Sequence, residues 1–362
     1  MLRLEPRAQP SRTMIALTPL IAVAATMVVG GILFAALGKN PFEAIRIIFW
    51  DPLFNETVAG YARPQLLIKA APLILIALGL SLGFRAGIWN IGAEGQFIMG
   101  AIFGAACGLA FYPTESVFIF PLMVLAGALG GVLWAMIPAL LKTRFNTNEI
   151  LVSLLLVYVA DQILASMALG LLRNPDGAGF PGSRNLRSYP SAHNAEIIQG
   201  TGVHWGVIAA IAAVAVTYVL FQRHMLGYQI KLAGQTARAA RFSGVNPNWL
   251  VVLCLGISGG LAGLAGMFEV SGPSGQISID FASGYGFTAI IVAFLGRLNP
   301  VGILLAGLLL ALTYIGGELA SFSLGLPAAA IQAFQGMLLF FLLATDVLIN
   351  FRLRWVPREV TS

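Results

Sequence analysis

Phe84-Arg-Ala-Gly-Ile-Trp-Asn-Ile-Gly-Ala-Glu-Gly-Gln96 decides how the rest of the chain reads. Arg85, Asn90, Glu94 and Gln96 stand between two stretches otherwise apolar enough for a bilayer, and Gly87, Gly92 and Gly95 loosen the backbone around them. Polar groups inside a membrane chain are costly unless they are paired or face water, so they mark function by default. The block is therefore a break in a membrane fold and the place where its chemistry is concentrated.

Outward from the break the chain is apolar: 58% of its 362 residues are hydrophobic and 10% charged, against about 25% charged in soluble domains. It reads as an all-α integral membrane protein. With about 20 apolar residues needed per crossing, it forms a bundle of about ten transmembrane helices, a single transmembrane domain over 1–362. The apolar runs lie at 14–37, 66–84, 117–141, 150–172, 205–221, 250–268, 301–319 and 328–349, with a shorter, interrupted one at 287–295. A further span is required after the break. Because 97–111 is too short to cross, it is expected to begin near Ile88, which sets Glu94 about 9 Å inside the helix. That helix would carry Asn90, Glu94, Phe97 and Ala101 on one face and Gln96, Gly100 and Gly104 on the next.

The net charge of +6 is explained by topology rather than by nucleic acid. Lys and Arg concentrate in alternate loops: the tail 1–13, Arg85, Lys142 and Arg144, the insertion 222–248, Arg297, and the tail 351–362 with Arg352, Arg354 and Arg358. Acids such as Glu43, Asp51, Glu115, Asp176 and Glu196 fall in the others. The positive-inside rule then places both termini in the cytoplasm of a multi-pass protein of the plasma (inner) membrane. The first apolar run is too long for a signal peptide and is read as a retained span. Residues 39–65 read as an external loop with an interfacial helix, and the polar loop 173–204 as external, long enough to serve as a docking surface. Asn146 followed by Glu149 reads as a helix start. Cys107 and Cys254 sit in apolar runs, and His193, His204 and His224 lack ligand spacing, so neither a disulfide framework nor a metal site is implied.

Gly100, Gly104 and Gly108, Gly127 and Gly131, and Gly259, Gly263 and Gly266 have the spacing that lets membrane helices approach closely. None belongs to a phosphate-cradling loop, and no Walker motif occurs, so the chain is not an enzyme and any ATP hydrolysis falls to another subunit. Trp89, Asn90, Glu94, Gln96 and Phe97 are the candidates for a translocation path. Glu94 is either a ligand or gating group facing water or an internal partner of Arg85; Asn90 and Gln96 serve best as partners for backbone freed by the glycines. Asp161 and Asp346 are compatible with a proton relay or, with more support, with structural pairing. Arg85-Ala-Gly87 and Gly296-Arg297 mark corresponding positions of a possible internal repeat. In the 222–248 insertion, residues 236–242 read as a short helix. Ala237 and Ala240 would form a small-residue face beside Arg238 and Arg241, better suited to docking a cytoplasmic protein than to lying on lipid.

The 84–96 block resembles the signature of permease subunits of nucleoside-type ABC importers, within the larger simple-sugar and branched-chain amino acid permease group. Gly38-Lys-Asn-Pro-Phe42, Asn148-Glu149, Ala239-Ala-Arg-Phe-Ser-Gly244 and Gly296-Arg-Leu-Asn-Pro300 extend the resemblance along nearly the whole chain. It implies a permease that binds no cofactor itself, works with ATP and Mg on a partner ATPase, pairs with a second related permease or with itself, and receives its solute from an extracytoplasmic solute-binding protein. Arg238, Ala239, Ala240, Arg241 and Gly244 would form the coupling element that meets the ATPase. The implied solute is a nucleoside or related base; a simple sugar is the alternative, and a proton-coupled carrier acting alone is the rival from another class.

Overall fold

A computed structural model of the protein describes residues 2–7, 9 and 11–355. Arg358 and the rest of the expected tail beyond 355 lie outside the described residues. In chain order the helices are α1 (Arg12–Ala36), α2 (Pro41–Phe49), α3 (Asp51–Phe54), α4 (Glu56–Arg85), α5 (Ala93–Ala110), α6 (Ile119–Phe145), α7 (Glu149–Leu169), α8 (Trp205–Arg223), α9 (Met225–Gln235), α10 (Ala237–Phe242), α11 (Pro247–Ser271), α12 (Tyr285–Leu295), α13 (Pro300–Leu324) and α14 (Ala328–Asn350). Among the described residues nine are long and apolar enough to cross a membrane, and α12 is the shorter apolar helix expected between full spans. The protein is an all-α membrane bundle. Its only regular sheet among the described residues pairs β1 (Leu2–Pro6) antiparallel with β2 (Phe351–Trp355). An ion pair of 2.9 Å between Arg352 and Glu5 reinforces it, so the ends of the described chain lie together.

The chain divides into two compact units, residues 1–62 with 312–362, and residues 63–311. In the first, α1 packs on α14, with Phe34 stacked on Phe334 at 5.7 Å between ring centroids. The amphipathic α2, expected as an interfacial helix, buries Ala44, Ile47 and Ile48 and exposes Phe42. Its Asn40 caps the first turn through Phe42 N–H at 3.0 Å, and Pro41 sits where a missing N–H costs nothing.

In the second unit α5, α6 and α11 make the core contacts. They touch backbone to backbone. A methyl group on Gly263 would collide with the Gly127 carbonyl and the Gly131 backbone, and one on Gly100 with the Gly263 backbone. Without hydrophobic drive between helices in lipid, such van der Waals contact holds the bundle together.

Two boundaries differ from expectation. The third span begins at Ala93, with Gly92 as its cap, and not near Ile88. The reason is local: Gly87, at φ 75°, turns the chain out of α4, and residues 86–92 run on irregularly. Asn90 is therefore not on a helix face with Glu94. The 18 residues of α5, about 27 Å at 1.5 Å each, still suffice for a thin crossing. Asn146 does not start a helix; at φ 51° it ends α6, a left-handed position that Asn tolerates. The cap of α7 is Asn148, which accepts from Ile150 N–H at 3.0 Å, while Glu149 pairs with Lys142 at 3.0 Å.

Candidate functional site

The break in the apolar pattern is a turn, a polar knot and a clasp. Helix α4 ends in a Schellman motif: Ile88 N–H bonds the Gly83 carbonyl at 2.8 Å and Gly87 N–H the Phe84 carbonyl at 3.2 Å, with Gly87 in the left-handed position that the motif requires. Helix α12 ends the same way, with Leu298 N–H on Ala293 O at 2.8 Å and Arg297 N–H on Phe294 O at 2.9 Å. Here Arg297, at φ 55°, takes the role of Gly87. The two Gly-Arg features thus occupy equivalent positions in two helix ends. They also meet: Phe84 and Phe294, matched within the motif, stack at 5.2 Å, and Arg85 Nε donates to the Leu298 carbonyl at 2.9 Å.

Arg85 is accordingly not the partner of Glu94. Its guanidinium lies over the Phe221 ring at 4.0 Å. Glu94, 3% exposed, instead accepts hydrogen bonds from the backbone N–H groups of Gly284, at 2.8 Å, and Gly286. Gly284 holds the N-cap position before α12 and has no side chain with which to cap it. The Glu94 carboxylate supplies that cap from another helix, near the positive ends of both α12 and its own α5.

Asn90 and Gln96 form the knot. Asn90 Nδ2 donates to Gln96 Oε1 at 2.8 Å and to Ser258 Oγ at 2.9 Å, and Asn90 Oδ1 accepts from Gln96 Nε2 at 3.1 Å and from Gly92 N–H at 3.0 Å. Ile91 N–H finds Ser153 Oγ at 3.2 Å. Both amides are buried and bonded to protein groups, which is how irregular backbone is tolerated at membrane depth. Phe97, fully buried, stacks on Phe281 at 5.3 Å and leans on Tyr285 at 5.6 Å. Trp89 is the exposed member at 40%, packed on Phe84 and Phe294.

The 222–248 insertion folds as α9 and α10, with α10 falling where residues 236–242 are expected to form a short helix. Its orientation is the correction. Ala240 is not part of an outward face: it is buried with Ala86, Ile88, Ile230, Val245 and Leu250. A third Schellman motif explains why, since Val245 N–H reaches Ala240 O at 3.0 Å and Gly244, at φ 79°, bonds Arg241 O at 3.1 Å. The motif brings Val245 against Ala240. Arg238, Arg241 and Phe242 remain exposed, Phe242 at 89%, and Ala239 lies in the same helix. Gly234 of α9 rests on the Arg85 carbonyl so closely that a methyl group there would overlap it. The insertion is thereby seated directly on the start of the 84–96 block.

A family model described as "Branched-chain amino acid transport system / permease component" matches residues 64–343. The chain belongs to this family. Among its relatives, a glucose ABC transporter permease protein of Haloferax volcanii is 33% identical, with 97% of this chain and 93% of that protein covered. A guanosine ABC transporter permease protein of Bacillus subtilis is 28% identical over 90% of this chain and 92% of its own length. A nucleoside ABC transporter permease protein of Lactococcus lactis is 27% identical over 92% of each. This chain is a multi-span permease of the ABC importer class.

The permease also holds charged residues that the sequence pattern did not single out. Lys69, inside the 66–84 run, lies with its Nζ 5.7 Å from the centre of the Tyr285 ring. Glu269 is buried near the end of α11, one residue beyond the apolar run at 250–268. Lys69 was visible as an intramembrane charge, and the rule applied to Asp161 would have found it. The loop 173–204 closes over this end of α11. Arg187 donates to the carbonyls of Gly272 at 2.6 Å and Pro273 at 2.5 Å, Ser183 pairs with Ile277, and Asn194 N–H bonds Ser271 O at 3.0 Å. His204 and His224 serve as helix caps, accepting from Gly206 and Leu226 N–H, each at 3.1 Å. Burial and the nearby Arg187 pull His204 down to about 4, and the same causes lower His193.

Proposed function

We propose that this permease carries a nucleoside or related base across the plasma membrane as the membrane-spanning subunit of an ABC importer, with both termini cytoplasmic. Its relatives named for guanosine and for nucleosides, each matched over nine tenths of this chain or more, support that solute. The relative named for glucose supports a simple sugar as the second reading. The partners are ATPase subunits holding ATP and Mg, a second related permease or another copy of this one, and an extracytoplasmic solute-binding protein. The paired β1 and β2 support a shared side for the termini, and the basic loops support the cytoplasm as that side.

The observation that carries the reading is the seating of α9 and α10 on the 84–96 block. Exposed Arg238, Arg241 and Phe242 form the surface for the ATPase, while Ala240 and Gly234 join that surface to Arg85, Ala86 and Ile88. Closure of the ATPase on ATP would push α10, shift the end of α4, and through Arg85 and Leu298 move the end of α12. Trp89, Asn90, Glu94, Gln96 and Phe97 then act by holding the moving parts in register.

Reconstitution with an ABC-type ATPase subunit and an extracytoplasmic solute-binding protein tests the reading. Wild-type complex should take up guanosine with ATP, and Arg238→Glu with Arg241→Glu should abolish solute-stimulated ATP hydrolysis while the permease still folds. Undiminished stimulation would remove the coupling assignment, and uptake of glucose without guanosine would select the second reading.

A further inference from the structure

Glu269 is 9% exposed, yet its carboxylate has no hydrogen bond and no ion pair among the described residues. Neighbouring groups are satisfied: the Glu269 carbonyl accepts from Ser274 N–H at 3.0 Å, and Ser271 O from Asn194 N–H at 3.0 Å. A buried carboxylate left with open lone pairs is costly, and native folds keep such groups for a bound partner or a chemical task. Two cations act on it through space, Lys69 and Arg187. Neither is placed to bond it: Arg187 is committed to the Gly272 and Pro273 carbonyls, and Lys69 is drawn over the Tyr285 ring.

One turn before Glu269, α11 rests on an aromatic cluster: a methyl group on Gly266 would overlap the Phe97 carbonyl. Tyr285 opens α12 at the point clasped by Glu94, and Phe97 joins it to Phe281. A carboxylate presents two oxygens side by side, which suits a pair of neighbouring hydroxyl groups. Aromatic faces suit the ring that bears them. Vicinal hydroxyls on a neutral ring are the chemistry shared by ribonucleosides and hexoses.

We propose that Glu269, Lys69 and Tyr285 form a recognition site within the permease for the vicinal hydroxyls of a neutral sugar ring, free or as the ribose of a nucleoside. This rests on the transport reading above and adds to it the group on the solute that is read. The 84–96 block contributes by positioning: Glu94 fixes the start of α12 and hence Tyr285.

The complete importer in proteoliposomes tests this with guanosine, glucose and 2′,3′-dideoxyguanosine. Wild type should prefer guanosine to its dideoxy analogue by at least about tenfold in kcat/KM, as sites built to bond a hydroxyl do. Glu269→Gln should raise the KM for guanosine by about tenfold or more and bring the preference close to one. A Glu269 that merely balanced Lys69 would leave the preference unchanged, and that result overturns the site while leaving the transport reading intact. Uptake of neither guanosine nor glucose by wild type would overturn both. Should Glu269→Gln fail to assemble, carbodiimide labelling of Glu269 in the wild-type complex decides. Protection by guanosine and not by the dideoxy analogue supports the site; equal labelling in all three conditions overturns it.

Discussion

Glu94 accepts a hydrogen bond from the backbone N–H of Gly286, 192 residues further along the chain. Gly284 N–H completes the clasp at 2.8 Å, so one carboxylate closes the open end of a helix from a different part of the sequence. Glu94→Gln keeps the shape and exchanges one acceptor for a donor aimed at helix N–H groups. The expected cost is about 1–3 kcal/mol, read as a fall of several degrees in Tm in detergent. Gly286→Ala is expected to be worse, because its methyl group would meet the Glu94 backbone itself.

In the proposed coupling route, α9 meets the 84–96 block at Gly234, which lies so close to the Arg85 carbonyl that a methyl group there would overlap it. Gly234→Ala should part α9 from the 84–96 block while leaving exposed Arg238 and Arg241 in place. The expected outcome is an importer that still binds its ATPase, by co-purification, and hydrolyses ATP with little response to solute. Ala240→Glu should go further and destabilise the permease, since the new charge would be buried among Ile230, Val245 and Leu250.

The membrane class, the short helix before α13 and the glycine seams are legible in composition and spacing, because bilayer thickness and close helix approach impose them locally. The matching Gly87 and Arg297 ends are half legible: the Gly-Arg pairs stand out, but equivalence depends on which carbonyls accept. The partner of Glu94 is not legible at all. A backbone N–H has no signature in a sequence, so the nearest visible cation, Arg85, looks like the better match. Ala240 misleads for a related reason, since a small residue suits a docking face and a tight core equally well, and only the Schellman turn through Gly244 selects the core. Glu269 escapes notice by standing one residue beyond an apolar run, where a charge reads as the start of a loop.

The seam of α5, α6 and α11 separates two kinds of glycine. Gly263→Ala would drive a methyl group into the Gly127 carbonyl and the Gly131 backbone, and a cost of about 3 kcal/mol or more is expected from such overpacking. Gly60, in the first part of α4, has nothing within 4 Å of an added methyl group. Gly60→Ala should be neutral or stabilise by up to about 1 kcal/mol through helix propensity. Paired thermal denaturation curves check both, and equal effects would sink the close-contact account of the seam.

His204 makes stability depend on pH in a direction that can be worked out. Folded, it is buried and near Arg187, and its pKa lies at about 4; unfolded, it returns to about 6.5. Above that value both states hold a neutral ring and His204 contributes no pH dependence. As pH falls from 6.5 towards 4 the unfolded chain takes up a proton that the folded ring refuses, so the folded state loses up to about 3 kcal/mol relative to it. Below about 4 both are protonated and the loss stops growing. In the folded state Nδ1 accepts from Gly206 N–H, and His204→Asn keeps a capping acceptor while removing the titration. Tm measured between pH 4 and 7.5 should fall less steeply with acid in the variant than in wild type. A shallow slope remains from His193, whose pKa is lowered by the same causes. Identical slopes in the two proteins would mean that the burial of His204 is not maintained in the membrane.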